Sequence, residues 1–116
     1  MAVARKWYTT QRGEAMDVQA QIEAVREWSS AAERAIKARD VHALDLSRQT
    51  LMQYADEKTV LCRWAVNDLH RIARLAITLI DPIEASMYRS AVHGAVDNLL
   101  RKLETATAQS PAIALA

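Results

Sequence analysis

The chain is predicted to be all-α, and three observations predict it. Its 116 residues are 51% apolar, yet Phe is absent and the aromatics are only Trp7, Trp28, Trp64, Tyr8, Tyr54 and Tyr88. A core drawn from Leu, Ile, Val and Ala suits closely packed helices and suits a sheet poorly. Two glycines, Gly13 and Gly94, leave little turn chemistry for hairpins. Between Val41 and Ile80 there is neither Gly nor Pro, and about forty uninterrupted residues imply a helix of roughly 60 Å.

Residues 1–16 hold Arg5, Lys6, Trp7, Tyr8, Arg12 and Gly13 without a clear period; they read as a flexible N-terminal arm. The helical domain spans 17–104. Its first helix runs from about Asp17, a plausible cap, to Ala38, with Val18, Ile22, Val25, Ala32 and Ile36 on one stripe and Trp28 and Ala35 at its edge. One stripe means one buried face. The link Arg39-Asp40 is short, which makes the next helix antiparallel, and Asp40 can cap it.

The long central helix carries one stripe along its length: Val41, Leu44, Leu51, Ala55, Cys62, Leu69, Ala73 and Ile80. From Val60 a second appears, Leu61, Trp64, Ile72, Leu75 and Leu79, leaving Arg63, Asn67, His70, Arg71, Arg74 and Thr78 as a polar strip. Well over half of that perimeter is apolar and needs cover on more than one side. The rod stops at Asp81-Pro82-Ile83-Glu84. Asp81 can accept from free amides, Pro82 suits the first helical position and Glu84 the third. The last helix, about Pro82 to Glu104, has one stripe of Ala85, Tyr88, Val92, Ala95, Val96, Leu99, Leu100 and Leu103. Residues 105–116, small and polar around Pro111, read as a disordered tail.

The expected architecture is therefore a three-helix domain, a long central helix flanked by two antiparallel helices. The two-stripe half remains under-covered in a single copy. Either the helix bends at Asp56-Glu57-Lys58-Thr59, or a second copy covers the gap. The second solution is preferred, since two-fold pairing is the commonest oligomer. It predicts a dimeric helical bundle joined through Leu69, Ile72, Ile77 and Ile80.

Fifteen basic and fourteen acidic residues leave a net charge near zero. A phosphate-reading domain usually carries a basic excess, so nucleic acid is disfavoured as the main ligand. Cys62 is the only cysteine, so no internal disulfide forms. No apolar stretch follows Arg5 and Lys6, and no window approaches the roughly twenty apolar residues that span a bilayer. A cytoplasmic location without membrane contact is expected.

No reaction chemistry is legible. His42, His70 and His93 lie on separate turns with no Glu three residues before any of them, so the paired Glu-x-x-His pattern of di-iron bundles is missing. His93 and Asp97 can share a face, but two ligands do not make a metal site. Cys62 falls on an apolar stripe, where Cys behaves as a small hydrophobe. Phosphate loops and nucleophile elbows are absent. Arg63, Arg71 and Arg74 invite comparison with helical chorismate mutases, but those carry their longest helix first. Leu46-Ser47-Arg48-Gln49-Thr50-Leu51 has the flavour of a DNA-reading helix, yet no turn interrupts it. Neither catalytic, cofactor-binding nor metal residues are predicted, and no cofactor.

Protein recognition is what remains. Trp64 borders the second stripe, Tyr54 lies in line with it, and Trp and Tyr are the usual anchors of interfaces. Tyr54, Leu61, Trp64 and Asp68 are the candidate partner-binding residues, Asp68 as a polar group at the edge. In size, helical content and lack of catalytic residues the chain resembles small helical bacterial antiactivators, the quorum-sensing antiactivators of the QslA type among them. The resemblance spans 17–104 and rests on architecture, so it transfers no functional residue. It implies a non-enzymatic regulator that binds and occludes a LuxR-type transcription activator. Phage-encoded helical inhibitors of a host defence complex have the same appearance, and a small DNA-binding regulator is the other alternative.

Overall fold

Four helices, not three, make up the described residues. The computed structural model describes the backbone of residues 14–115 and the side chains of residues 18–106. The helices are α1 (Glu14–Ala38), α2 (Val41–Met52), α3 (Arg63–Thr78) and α4 (Pro82–Leu115). The arm expected at 1–16 lies largely outside the described residues, and its last three residues already belong to α1.

The predicted turns at both ends of the central segment form by the chemistry their residues suggest. At the first, Arg39 adopts φ 54°. Its amide donates to the Ile36 carbonyl at 3.1 Å and that of Asp40 to Ala35 at 2.9 Å, the bond pattern of a Schellman close. Asp40 then caps α2, its Oδ1 accepting from the Ala43 amide at 3.0 Å. At the second, Asp81 Oδ1 accepts from the Ile83 amide at 3.0 Å, ahead of Pro82 in the first turn of α4.

The forty-residue rod does not form. The chain leaves the helix after Met52 and re-enters it at Arg63. Asp56 and Thr59 break it without Gly or Pro, because their side chains offer the backbone local alternatives to the helix ladder. Asp56 Oδ1 accepts from the Lys58 amide at 3.0 Å. The Asp56 amide donates to Leu61 at 2.8 Å and the Thr59 amide donates back to Asp56 at 3.0 Å, closing a compact loop.

With the rod folded in two, the helices run up-down-up-down. Asp45 and Arg48 of α2 meet His70 and Asn67 of α3. Arg26 and Glu33 of α1 pair with Glu104 and Arg89 of α4 at 3.0 and 3.5 Å. Each helix packs on its chain neighbours, and α1 against α4 closes the ring. One core fills it: Val18, Val25, Trp28 and Ala32 from α1, Leu44 and Leu51 from α2, Val66, Leu69, Ala73 and Ile77 from α3, Val92, Val96, Leu99 and Leu103 from α4. The second stripe is thus covered in part within one chain, with Leu61 buried and Ile72, Leu75 and Leu79 half-buried, while Trp64 stays exposed. The segment read as a disordered tail, 105–116, continues α4 as far as Leu115. Extending an existing helix needs no new nucleus, and Ala recurs there.

Candidate functional site

The loop between α2 and α3 positions the most exposed aromatic among the described side chains. Gln21 of α1, only 2% exposed, donates from Nε2 to the Tyr54 carbonyl at 2.9 Å. Its Oε1 accepts from the Thr59 hydroxyl at 3.0 Å. Leu61 drives the end of the loop into the core and is fully buried. Cys62, half-buried and extended, then opens α3 as its N-cap without a side-chain bond. With Leu61 pinned inward, the first turn of α3 directs Trp64 outward, 76% exposed.

Beside Trp64 lies a cleft of about 260 Å³ between α3 and α4. Ala65 and Leu69 from α3 and Ala95 and Leu99 from α4 supply its apolar lining, and Asp68, Asn98 and Lys102 its polar groups. Asp68 Oδ1 is held by Arg71 at 2.7 Å in a pair open to water, where such pairs contribute little. The slot thus presents an apolar lining with an aromatic at its mouth and both charge signs beside it.

The residues proposed from sequence separate. Trp64 and Asp68 share this cleft. Leu61 is a core residue and offers no surface to a partner; burial inside the chain's own bundle removes it from the interface. Tyr54 is half-buried and lines a different cleft, of about 220 Å³ between α1 and α2, with Trp28 and Thr50. Its alignment with Trp64 assumed a continuous helix, and the loop at 53–62 destroys that alignment. The proposed dimer residues divide likewise. Leu69 and Ile77, 3% and 4% exposed, belong to the core. Ile72 is half-buried against it, whereas Ile80 is 91% exposed.

Of the polar strip on α3, Arg63, Asn67, Arg71, Arg74 and Thr78 are exposed. His70 instead turns toward α2, its Nε2 lying 3.1 Å from Asp45 Oδ1 with the side chain 14% exposed. Its Nδ1 is buried without a hydrogen-bond partner among the described residues. Burial holds its pKa below the usual histidine value; Asp45 opposes that shift, and Arg48 and Arg74 add to it. His93 faces Glu33 at 3.9 Å. Among the described residues no three His, Cys, Asp or Glu side chains come together as a metal site.

Gln21 escaped the sequence reading, although a signal existed. It sits within the apolar face Val18–Ile22–Val25, where a polar residue needs a buried partner. No described helix is long and apolar enough to cross a membrane. No protein-family model, curated protein or solved structure matches the chain.

Proposed function

We propose that this chain is a non-enzymatic regulator that docks another protein at the Trp64 cleft and acts by occlusion. One observation carries the reading. A tryptophan 76% exposed stands on a helix start held firmly by Leu61 and the Gln21 bonds, beside a preformed apolar slot. A large aromatic held out in water by a fixed backbone is already arranged for burial by a partner, with little ordering cost left. The resemblance to bacterial antiactivators makes a LuxR-type transcription activator the partner to test first.

The experiment is a titration of the purified chain into such an activator, read by displacement of the activator from its DNA. Trp64→Ala is expected to weaken inhibition by about thirtyfold, the effect of losing a true anchor, with the helical spectrum unchanged. A second reading has one observation of its own: Arg63, Arg71 and Arg74 lie exposed on one face of α3. If the chain instead binds DNA by itself, with steep salt dependence and loss in an Arg63/Arg71/Arg74 triple variant, that reading replaces the first.

A further inference from the structure

A further cleft, of about 380 Å³, opens where the ends of α1 and α3 meet the start of α4. It shares no residue with the Trp64 cleft, and its α3 wall, Ala76, stands about 18 Å along that helix from Trp64. Ile36 of α1, Ala76, and Pro82 and Ala85 of α4 make its apolar part. Lys37, Arg39 and Arg89 line it as well, with Ser86, and no acidic residue does. Small-ligand sites are built from such a concave apolar surface with a few polar groups. Cations gathered around one opening select the sign of the ligand.

Two of these cations lack a counter-charge. Lys37 and Arg39 make no ion pair with a described side chain, while Arg89 faces Glu33 at 3.5 Å. Three cations against one carboxylate leave two positive charges at the opening. Asp40 and Asp81, each next to a lining residue, are turned to helix starts, where they accept from the Ala43 and Ile83 amides. Glu84, beside Ala85, is exposed and lines no part of the cleft.

Arg39 is a residue that the local backbone does not ask for. Its φ of 54° is the left-handed conformation in which a helix close usually carries glycine. An outlier of that kind directs attention to the side chain. One guanidinium N–H donates to the Ile77 carbonyl at 3.2 Å, which fixes the group beside Ala76. Its other donors bond no described residue. A fixed guanidinium with spare N–H groups matches phosphate or carboxylate oxygens. Two uncompensated charges favour a dianion over a single carboxylate, and a phosphate monoester carries about −1.5 to −2 at pH 7. We infer that this cleft binds a phosphate monoester with a small apolar body, its phosphate on Lys37, Arg39 and Arg89 and its body on Ile36, Pro82 and Ala85.

Backbone amide shifts of the isotope-labelled full chain, titrated with phenyl phosphate, test this. Saturable shifts are expected at Lys37, Arg39, Ser86 and Arg89, with a submillimolar dissociation constant. Inorganic phosphate, which lacks the apolar body, and benzoate, which carries one charge, should each bind about tenfold more weakly. Lys37→Gln and Arg39→Gly should each weaken phenyl phosphate about tenfold, the loss of one charge-assisted contact. Position 37 is exposed and glycine suits the backbone at 39, so both variants should keep the helical spectrum. Trp64→Ala should bind as the wild type does. The inference is overturned if phenyl phosphate gives no saturable shift at millimolar concentration, or if phenol, benzoate or inorganic phosphate binds as tightly. It is also overturned if both folded variants bind like wild type, or if the shifts gather instead on Arg63, Arg71 and Arg74.

Discussion

Thr59 donates its hydroxyl proton to Gln21 Oε1 across 38 positions of sequence, at 3.0 Å. That bond and its companion from Gln21 Nε2 to the Tyr54 carbonyl tie the α2–α3 loop to α1 at a buried point. They do for the loop what glycine and proline do elsewhere: they make one path of the backbone cheaper than continuing the helix. Replacing Gln21 by Leu is expected to cost about 1–3 kcal/mol, because the part-buried Tyr54 carbonyl loses the bond from the Gln21 amide and the Thr59 hydroxyl falls back on its longer local acceptors, the Asp56 and Leu61 carbonyls at 3.2 and 3.3 Å. Thr59→Val should cost less, since the carbonyl bond survives. Urea unfolding of the two variants checks the order, and a Gln21→Leu chain as stable as wild type removes the amide from this role.

Leu61 and Trp64 are three residues apart and face opposite worlds. Leu61→Ala should destabilise the fold by about 2–5 kcal/mol, the range for a buried leucine whose site collapses only partly. Trp64→Ala should lie within about 0.5 kcal/mol of wild type, as surface changes usually do, while weakening partner binding. Thermal melts of both variants decide this. A large loss of stability in Trp64→Ala means that the indole packs on the bundle in solution and is not presented to a partner.

Which parts of this were legible in sequence follows from how local each signal is. Asp40 and the Asp81-Pro82 start act within three or four residues, and both ends were read correctly. The interruption at 53–62 was not, because the polar turn residues that cause it, Asp56 and Thr59, also occur inside helices; their effect depends on Gln21, 38 residues before Thr59. The doubled apolar stripe after Val60 was the available clue. A straight rod cannot bury two stripes between single helices, and the bend named at Asp56-Glu57-Lys58-Thr59 is where the chain turns. A continuous helix leaves Leu61 for a partner and Leu69 and Ile77 for a second copy, whereas the fold buries all three. Trp64 survived as a candidate because its exposure follows from the inward anchoring of Leu61.

Trp28 gives a prediction of the opposite kind. Its ring is 3% exposed in the core, and its Nε1 is buried with no hydrogen-bond partner among the described residues. The indole contributes apolar burial but carries the cost of an unpaired donor. Trp28→Phe removes that cost along with part of the ring, so the two changes offset and stability should stay within about 1 kcal/mol of wild type. Trp28→Ala, which only empties the site, should lose about 3–5 kcal/mol. Guanidinium unfolding of the pair measures the contrast. Equal losses would mean that the Nε1 proton is satisfied in solution.

His70 sets the pH response of the α2–α3 contact. Its pKa is held below the ordinary 6.5, first by burial, with Asp45 opposing and Arg48 and Arg74 reinforcing the shift. The neutral ring, with Nε2 3.1 Å from Asp45 Oδ1, is the form the fold accepts; its buried Nδ1 has no hydrogen-bond partner among the described residues. Protonation therefore favours the unfolded chain. The contribution is fully present above pH 6.5, the unfolded value, and is lost as pH falls from there toward the folded pKa. Between neutral and mildly acid pH the melting temperature should drop in the wild type and drop less in His70→Gln, which has nothing to titrate there. Every other titrating group is common to both chains and cancels in the difference. Parallel curves for the two proteins over that window would show that His70 accepts its second proton as readily folded as unfolded, with Asp45 offsetting burial and the two arginines.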